Sequence, residues 1–302
     1  MNPAASRLGQ GVNPAHGILM FVVAVSIFPM LDAIAKTLAV HYPVVQITWA
    51  RYGFQTLALL AYFFVFLRRP LSVIRTRRLR LQLLRGSIMI GSNILFISGL
   101  KYLPLADATA ILFVSPLLVA VMSVPLLGET VGHRRWIAIG IGLVGMLVVI
   151  RPGMGVFGLP ALFPFSVACL YAVYQITTRS LAATDHPYTT IFYTSITGLL
   201  AVSVVVPFNW VSPTAIDWGW MAVMGGMGVV GHFILIKAFD YAEASALAPY
   251  NYFQIVSSVT CGYLVFGDFP DSWTFLGAGV IVASGLYVAY RERMARGATQ
   301  DL

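Results

Sequence analysis

A handful of polar side chains sit where an otherwise apolar sequence should have none. Arg51 is followed one helical turn later by Gln55, Asn93 interrupts the next hydrophobic stretch, and His232 lies within a run of Gly, Val, Ile and Leu. Tyr171, Tyr174 and Gln175 share one helical face. Tyr250, Asn251 and Gln254 open a later run, and Trp49 precedes Arg51. Polar groups at such depth in apolar segments are costly and are functional candidates by default. Amides and hydroxyls hydrogen-bond ammonium and carboxylate groups alike, while Tyr and Trp faces suit aromatic moieties and hold cations. We therefore take Trp49, Arg51, Gln55, Asn93, Tyr171, Tyr174, Gln175, His232, Tyr250, Asn251 and Gln254 as candidate contacts for a small neutral or zwitterionic solute. The competing reading of the amides is hydrogen bonding between helices, and that of His232 is packing or proton acceptance. Asp32 and Lys36, four residues apart, are expected to form a local ion pair, with gating as the alternative; His232 is a candidate for coupling. Glu129 and Asp268 are expected to cap turns.

The elements that carry these residues belong in lipid. Of 302 residues 59% are hydrophobic and 10% charged, against roughly 25% charged in a soluble domain. The net charge of +8 is not spread along a nucleic-acid-binding face. Ten apolar runs of about spanning length appear, near 17–38, 44–67, 82–101, 105–127, 134–151, 158–180, 189–208, 218–239, 246–266 and 273–291. Proline and glycine mark their joints. Residues 1–16 and 292–302 read as polar tails, the first without the cleavage site of a removable signal.

Charge sets the expected orientation. With the N-terminus inside, fifteen Lys and Arg fall on the cytoplasmic side, Arg85 counted with the loop group Arg68 to Arg80, and Lys36, Lys101 and Arg151 fall outside. That bias predicts two cytoplasmic termini. The basic loop is read as a topology anchor beside anionic lipid.

Sliding the chain by 139 residues lays Tyr102 on Tyr241, Gly128-Glu129 on Gly267-Asp268, Gly140 on Gly279 and Asn93 on His232. Two halves follow, 17–151 and 158–291. Five spans per half is an odd number, so the second half is predicted to enter the membrane inverted. The expected fold class is an all-α membrane protein of ten transmembrane helices in a 5+5 inverted repeat. Inverted repeats are a common architecture of secondary transporters, with the solute site near the midplane between the halves. Glycines at 140, 142 and 145 and at 277, 279 and 285 suit close helix approach, within the chain or across a homodimer.

This layout resembles the drug/metabolite transporter superfamily and its EamA-type ten-helix exporters. The resemblance rests on the repeat, the Pro116 segment running to Leu126-Leu127-Gly128-Glu129, its partner Phe266-Gly267-Asp268, Lys36 and Arg51. It implies a bacterial inner-membrane carrier working by alternating access, and the aromatic candidates favour the amino acid exporters of that family. Efflux of drugs or purine-like metabolites is the alternative, and a non-transporting scaffold or lipid-handling protein the alternative of another class. Ile255 stands where Pro116 has its counterpart, with Pro249 displaced toward the N-terminus. Phe28 replaces the acidic residue found at the matching position of the small multidrug-resistance branch, which argues against proton-coupled export of cationic drugs. No zinc, nucleophile-elbow or phosphate-loop motif occurs, so an enzyme, a metal site, a cofactor and ATP-driven pumping by this chain are not expected. Cys169 and Cys261, each inside an apolar run, read as inert buried thiols.

Overall fold

A computed structural model describes residues 14–67, 74–127, 132–151, 159–182, 184–242 and 244–300. The first tail up to residue 13, residues 68–73 of the basic loop, and Glu129 lie outside the described residues. Every regular element among the described residues is helical. They are α1 (Pro14–Leu38), α2 (Val44–Tyr62, prolonged by a π turn to Leu67), α3 (Leu79–Leu100), α4 (Leu105–Leu112), α5 (Ser115–Leu127) and α6 (His133–Ile150). The second half holds α7 (Leu162–Ala182), α8 (Pro187–Ser203), α9 (Ala215–Tyr241), α10 (Ala244–Leu247), α11 (Phe253–Phe266) and α12 (Ser272–Gln300). Seven of the helical segments are long and apolar enough to cross a membrane. The other three apolar runs fall on α2, α8 and the interrupted stretch from Ala244 to Phe266.

Two expectations about continuity are corrected. The run 105–127 is broken at Phe113-Val114, because Pro116 has no N–H to return to the Leu112 carbonyl and the turn closes by shorter bonds such as Leu117 N–H to Val114 O, 2.9 Å. The run 246–266 begins as a 3₁₀ turn at Ala248–Tyr252, with Pro249 near its start. Pro249 thus breaks the second half although no proline stands opposite Pro116. Phe113 and Tyr252, 139 residues apart, stand at the two breaks, and their rings meet with centroids 5.3 Å apart. The C-terminal tail is also no separate segment, since α12 runs on to Gln300.

Helix packing carries the same symmetry. α1 lies against α9 as α3 lies against α7, α2 against α9 as α3 against α8, and α1 against α11 as α5 against α7. α2 with α8, and α6 with α12, are their own counterparts. Exchanging the halves therefore regenerates the contact pattern. The α6–α12 seam is closed by glycine: a Cβ on Gly277 would come within 2.6 Å of the Gly145 carbonyl oxygen. Gly145 and Gly277 thus serve contact within the chain, whereas Gly140 and Gly279 face open space.

The end of the bundle that carries the 182–186 turn is latched by Asp185. Its carboxylate accepts from Thr76 and from Gln82 Nε2, the latter at 2.7 Å. Burial pushes this carboxyl up, but the hydrogen bonds from Thr76, Gln82, the Arg77 backbone and Thr184 outweigh it and hold the group below the ordinary carboxylate value. A depressed pKa contributes stability above the unfolded value of about 4 that is lost as pH falls through the folded one. Asp185→Asn should lower the melting temperature at pH 7, and the gap to the wild type should close as pH falls below about 4. A gap of constant size in melts from pH 7 to pH 3 would contradict this assignment.

Candidate functional site

Three helices bring charge into the centre, and α9 adds an imidazole. The Arg51 guanidinium on α2 reaches Asp32 on α1 at 3.5 Å, and both side chains are largely enclosed. Asp32 therefore does not pair with Lys36 as the i, i+4 spacing suggested. Lys36 instead turns outward to Asp268 at 3.1 Å, donates to the Leu103 carbonyl at 3.2 Å and covers the Phe266 ring. A buried guanidinium needs a counter-charge more than an exposed helix face does, so tertiary pairing overrides local spacing. Asp268, expected as a turn cap, spends its side chain on Lys36; the turn itself closes through Gly267 at φ +72. Arg151, beside it in left-handed conformation, meets Asp271 at 2.6 Å.

Arg85 is the residue that the sequence reading misplaced. Assigned to the cytoplasmic basic group, it lies six residues inside α3, about 9 Å along the axis, and is 4% exposed. Its Nε donates to Thr178 at 2.6 Å, Nη1 to Thr194 at 2.6 Å and to the Thr190 carbonyl at 3.3 Å, and Nη2 to the Tyr174 hydroxyl. The guanidinium also lies over the Tyr174 ring, 4.1 Å from its centroid.

Arg51, Tyr52, Gln55, Arg85, Met89, Tyr174, Ile191, Thr194 and His232 enclose a cavity of about 20 Å³, room for roughly one water. His232 Nδ1 lies 2.6 Å from the Gly228 carbonyl, so that nitrogen carries the proton and Nε2 is left as an acceptor in the neutral ring. Phe28 presents an edge to the imidazole, centroids 5.2 Å apart. A larger cleft, about 340 Å³, lies between α6 and α12 and is lined mainly by Ile137, Ala138, Ile141, Ala283 and Tyr287. It offers little for a polar solute.

Of the candidates read from sequence, Arg51, Gln55, Tyr174 and His232 line the central cavity. Asn93 stands just behind it, donating to the Tyr52 hydroxyl at 2.8 Å. Tyr171 stacks on Tyr174 with centroids 5.4 Å apart. Trp49 points elsewhere, donating to Ser203 at 2.9 Å and packing edge-on against Trp210 and Trp218. Tyr250 packs beside Phe21, Val25 and Leu247. Gln175, Asn251 and Gln254 are half-buried and are not among the cavity's lining residues. Thr194 was missed, although it is the repeat counterpart of Gln55, 139 residues on. Tyr52 lines the cavity, whereas Trp49, three residues earlier, does not.

A helical chain with two exchangeable halves and a charged, enclosed centre defines a polytopic membrane protein with an internal polar site. The chain belongs to the EamA-like transporter family, whose pattern matches residues 15–151 and again 158–290. It is a multi-pass protein of the bacterial-type inner membrane, and its family consists of transporters of small molecules. It is 26% identical over 279 residues to an S-adenosylmethionine uptake transporter of Rickettsia prowazekii, covering 92% of this chain and 94% of that protein. A riboflavin transporter of Vibrio cholerae is 26% identical over 293 residues (93% and 95%), and a pseudopaline exporter of Pseudomonas aeruginosa 25% over 275 residues (89% and 94%). A solved crystal structure 21% identical shows the same fold, with TM-score 0.63 over 91% of this chain and 96% of its own. The resemblance to aromatic amino acid exporters gains no support from these relatives, which are named for other solutes.

Proposed function

We propose that this protein is a secondary transporter that moves a small amphoteric metabolite across the inner membrane by alternating access, with ten spans in two inverted halves and both termini cytoplasmic. The observation that carries the reading is the enclosed charged centre, Asp32, Arg51, Arg85 and His232, drawn from both halves and walled at either end. Lys36 to Asp268 and Arg151 to Asp271 would form the outer seal. Asp185 with Thr76 and Gln82 would latch the cytoplasmic end. A cavity of about 20 Å³ cannot hold a metabolite, so this conformation is a closed one and one seal must part for loading.

Relatives named for uptake and for export share this architecture, so the net direction follows the gradients imposed on the carrier and is not fixed by the fold. Amino acids remain within the proposed class, together with larger amphoteric solutes such as S-adenosylmethionine. Two buried guanidiniums disfavour cationic drugs. Among the first candidate contacts, Gln175, Asn251 and Gln254 would join the site only on opening.

Purified protein in liposomes should exchange at least one labelled metabolite from a panel of amino acids, S-adenosylmethionine and riboflavin. Folded protein that exchanges none of them would leave the scaffold reading standing. Opening is tested separately. In a background without Cys169 and Cys261, a cysteine at Thr109, buried on α4 against Ser258 of α11, should react with an external impermeant maleimide several-fold faster once Lys36 is replaced by Met. Unchanged labelling would mean that the Lys36–Asp268 bridge is no gate.

A further inference from the structure

Arg85 is a buried cation without an anion. Its four donor contacts go to the Thr178 and Thr194 hydroxyls, the Thr190 carbonyl and the Tyr174 hydroxyl, all neutral. Among the described residues no carboxylate pairs with it. A charge withdrawn from water and left unpaired is costly, and neutral acceptors offset only part of that cost. The neighbouring guanidinium is also incompletely satisfied. Arg51 has Asp32 at 3.5 Å, a long contact, and its Nε has no hydrogen-bond partner although it is buried. Both guanidiniums line the same small cavity. With Asp32 cancelling one of them, the centre holds one positive charge in excess when His232 is neutral.

We propose that this excess charge is completed by the solute: Arg85, assisted by Arg51, forms a subsite for a carboxylate, and the transported class is carboxylate-bearing. This rests on the transport reading above and narrows it. Guanidinium is suited to the role because its planar fork binds a carboxylate through two parallel hydrogen bonds, which an ammonium cannot reproduce. The surrounding groups fit the rest of an amphoteric molecule. Gln55 Oε1 and the free Nε2 of neutral His232 accept from an ammonium or ring N–H. Tyr174 and Thr194 hold the Arg85 fork in place while the subsite is empty. On binding, the carboxylate would replace one or two of these neutral partners.

The test has two arms. In detergent, benzoate or acetate should raise the wild-type melting temperature above that in chloride at equal ionic strength, and Arg85→Gln should abolish the rise. Arg85→Lys keeps the charge without the fork and should restore it in part. In liposomes, counterflow should favour phenylalanine over phenethylamine and S-adenosylmethionine over 5′-methylthioadenosine. Arg85→Gln should cut exchange of the carboxylate-bearing partner by at least about tenfold, the scale of a charge-assisted contact. Should Arg85→Gln fail to fold, the wild-type and Arg85→Lys responses decide. Carboxylate-dependent stabilisation without exchange of any solute would keep the subsite and overturn the transport reading. Exchange that ignores the carboxylate, or no anion-specific stabilisation, would overturn the subsite and leave transport standing.

Discussion

Asp32→Asn should be among the most damaging single substitutions in the chain, lowering stability by about 3–5 kcal/mol. Asp32 is the only carboxylate in contact with Arg51 among the described residues, and both groups are largely withdrawn from solvent. Removing it leaves two guanidiniums, Arg51 and Arg85, on one cavity with no anion between them. Breaking a buried pair costs more than the pair was worth, because the surviving charge keeps its desolvation penalty. The signature is therefore in the double variant. Asp32→Asn combined with Arg51→Gln should be clearly more stable than Asp32→Asn alone, with a coupling energy of about 1–3 kcal/mol. Melting of the four proteins in one detergent closes the cycle. Additive losses would mean that Arg51 draws its stability from elsewhere, and that the charge count at the centre is wrong.

What the sequence made legible was depth, and what it concealed was direction. Arg51, Gln55, Tyr174 and His232 were found because each lies far along an apolar run, and depth along a helix can be counted in residues. Which way a side chain faces is normally read from amphipathic periodicity. In lipid that signal fades, since the outside of the bundle is as apolar as its core. Trp49 and Tyr52, three residues apart on α2, show the consequence: Tyr52 is at the cavity, while Trp49 joins the cluster with Trp210 and Trp218. Arg85 was lost for a different reason. It lies inside the run 82–101 but was counted with the arginines of the preceding loop, because clustered arginines read as one topology signal although α3 already begins at Leu79. The repeat was the stronger guide where it was used. It paired Asn93 with His232, and applied to Gln55 it leads to Thr194, which binds Arg85. The local rule for Asp32 and Lys36 failed because each has a better partner in tertiary space, Arg51 and Asp268.

Gly225→Leu should abolish assembly of the central site. Gly225 lies on α9 where that helix crosses α2, and a Cβ there would come within 2.4 Å of Phe54 Cβ, 2.9 Å of the Gln55 nitrogen and 3.1 Å of the Arg51 carbonyl oxygen. Two of those three neighbours are backbone, so no rotamer change relieves the contact. The helices must separate by an ångström or more, whereas an overpacked core that can shift its side chains loses only about 1–3 kcal/mol. We expect a loss at or above the top of that range. Even Gly225→Ala should be felt, because the first added carbon already collides. The residues displaced are the carriers of the site, since Arg51 and Gln55 hold their places through the same stretch of α2. Any Gly225→Ala protein that survives purification should therefore lose solute exchange disproportionately to its stability. By contrast Gly226, next in sequence, would meet nothing within 4 Å on gaining a Cβ, and Gly226→Ala should melt and transport like the wild type. Equal tolerance at the two positions, measured by yield, melting temperature and exchange rate, would show that α2 and α9 do not approach as closely as described, and the placement of Arg51 beside Asp32 would fall with that contact.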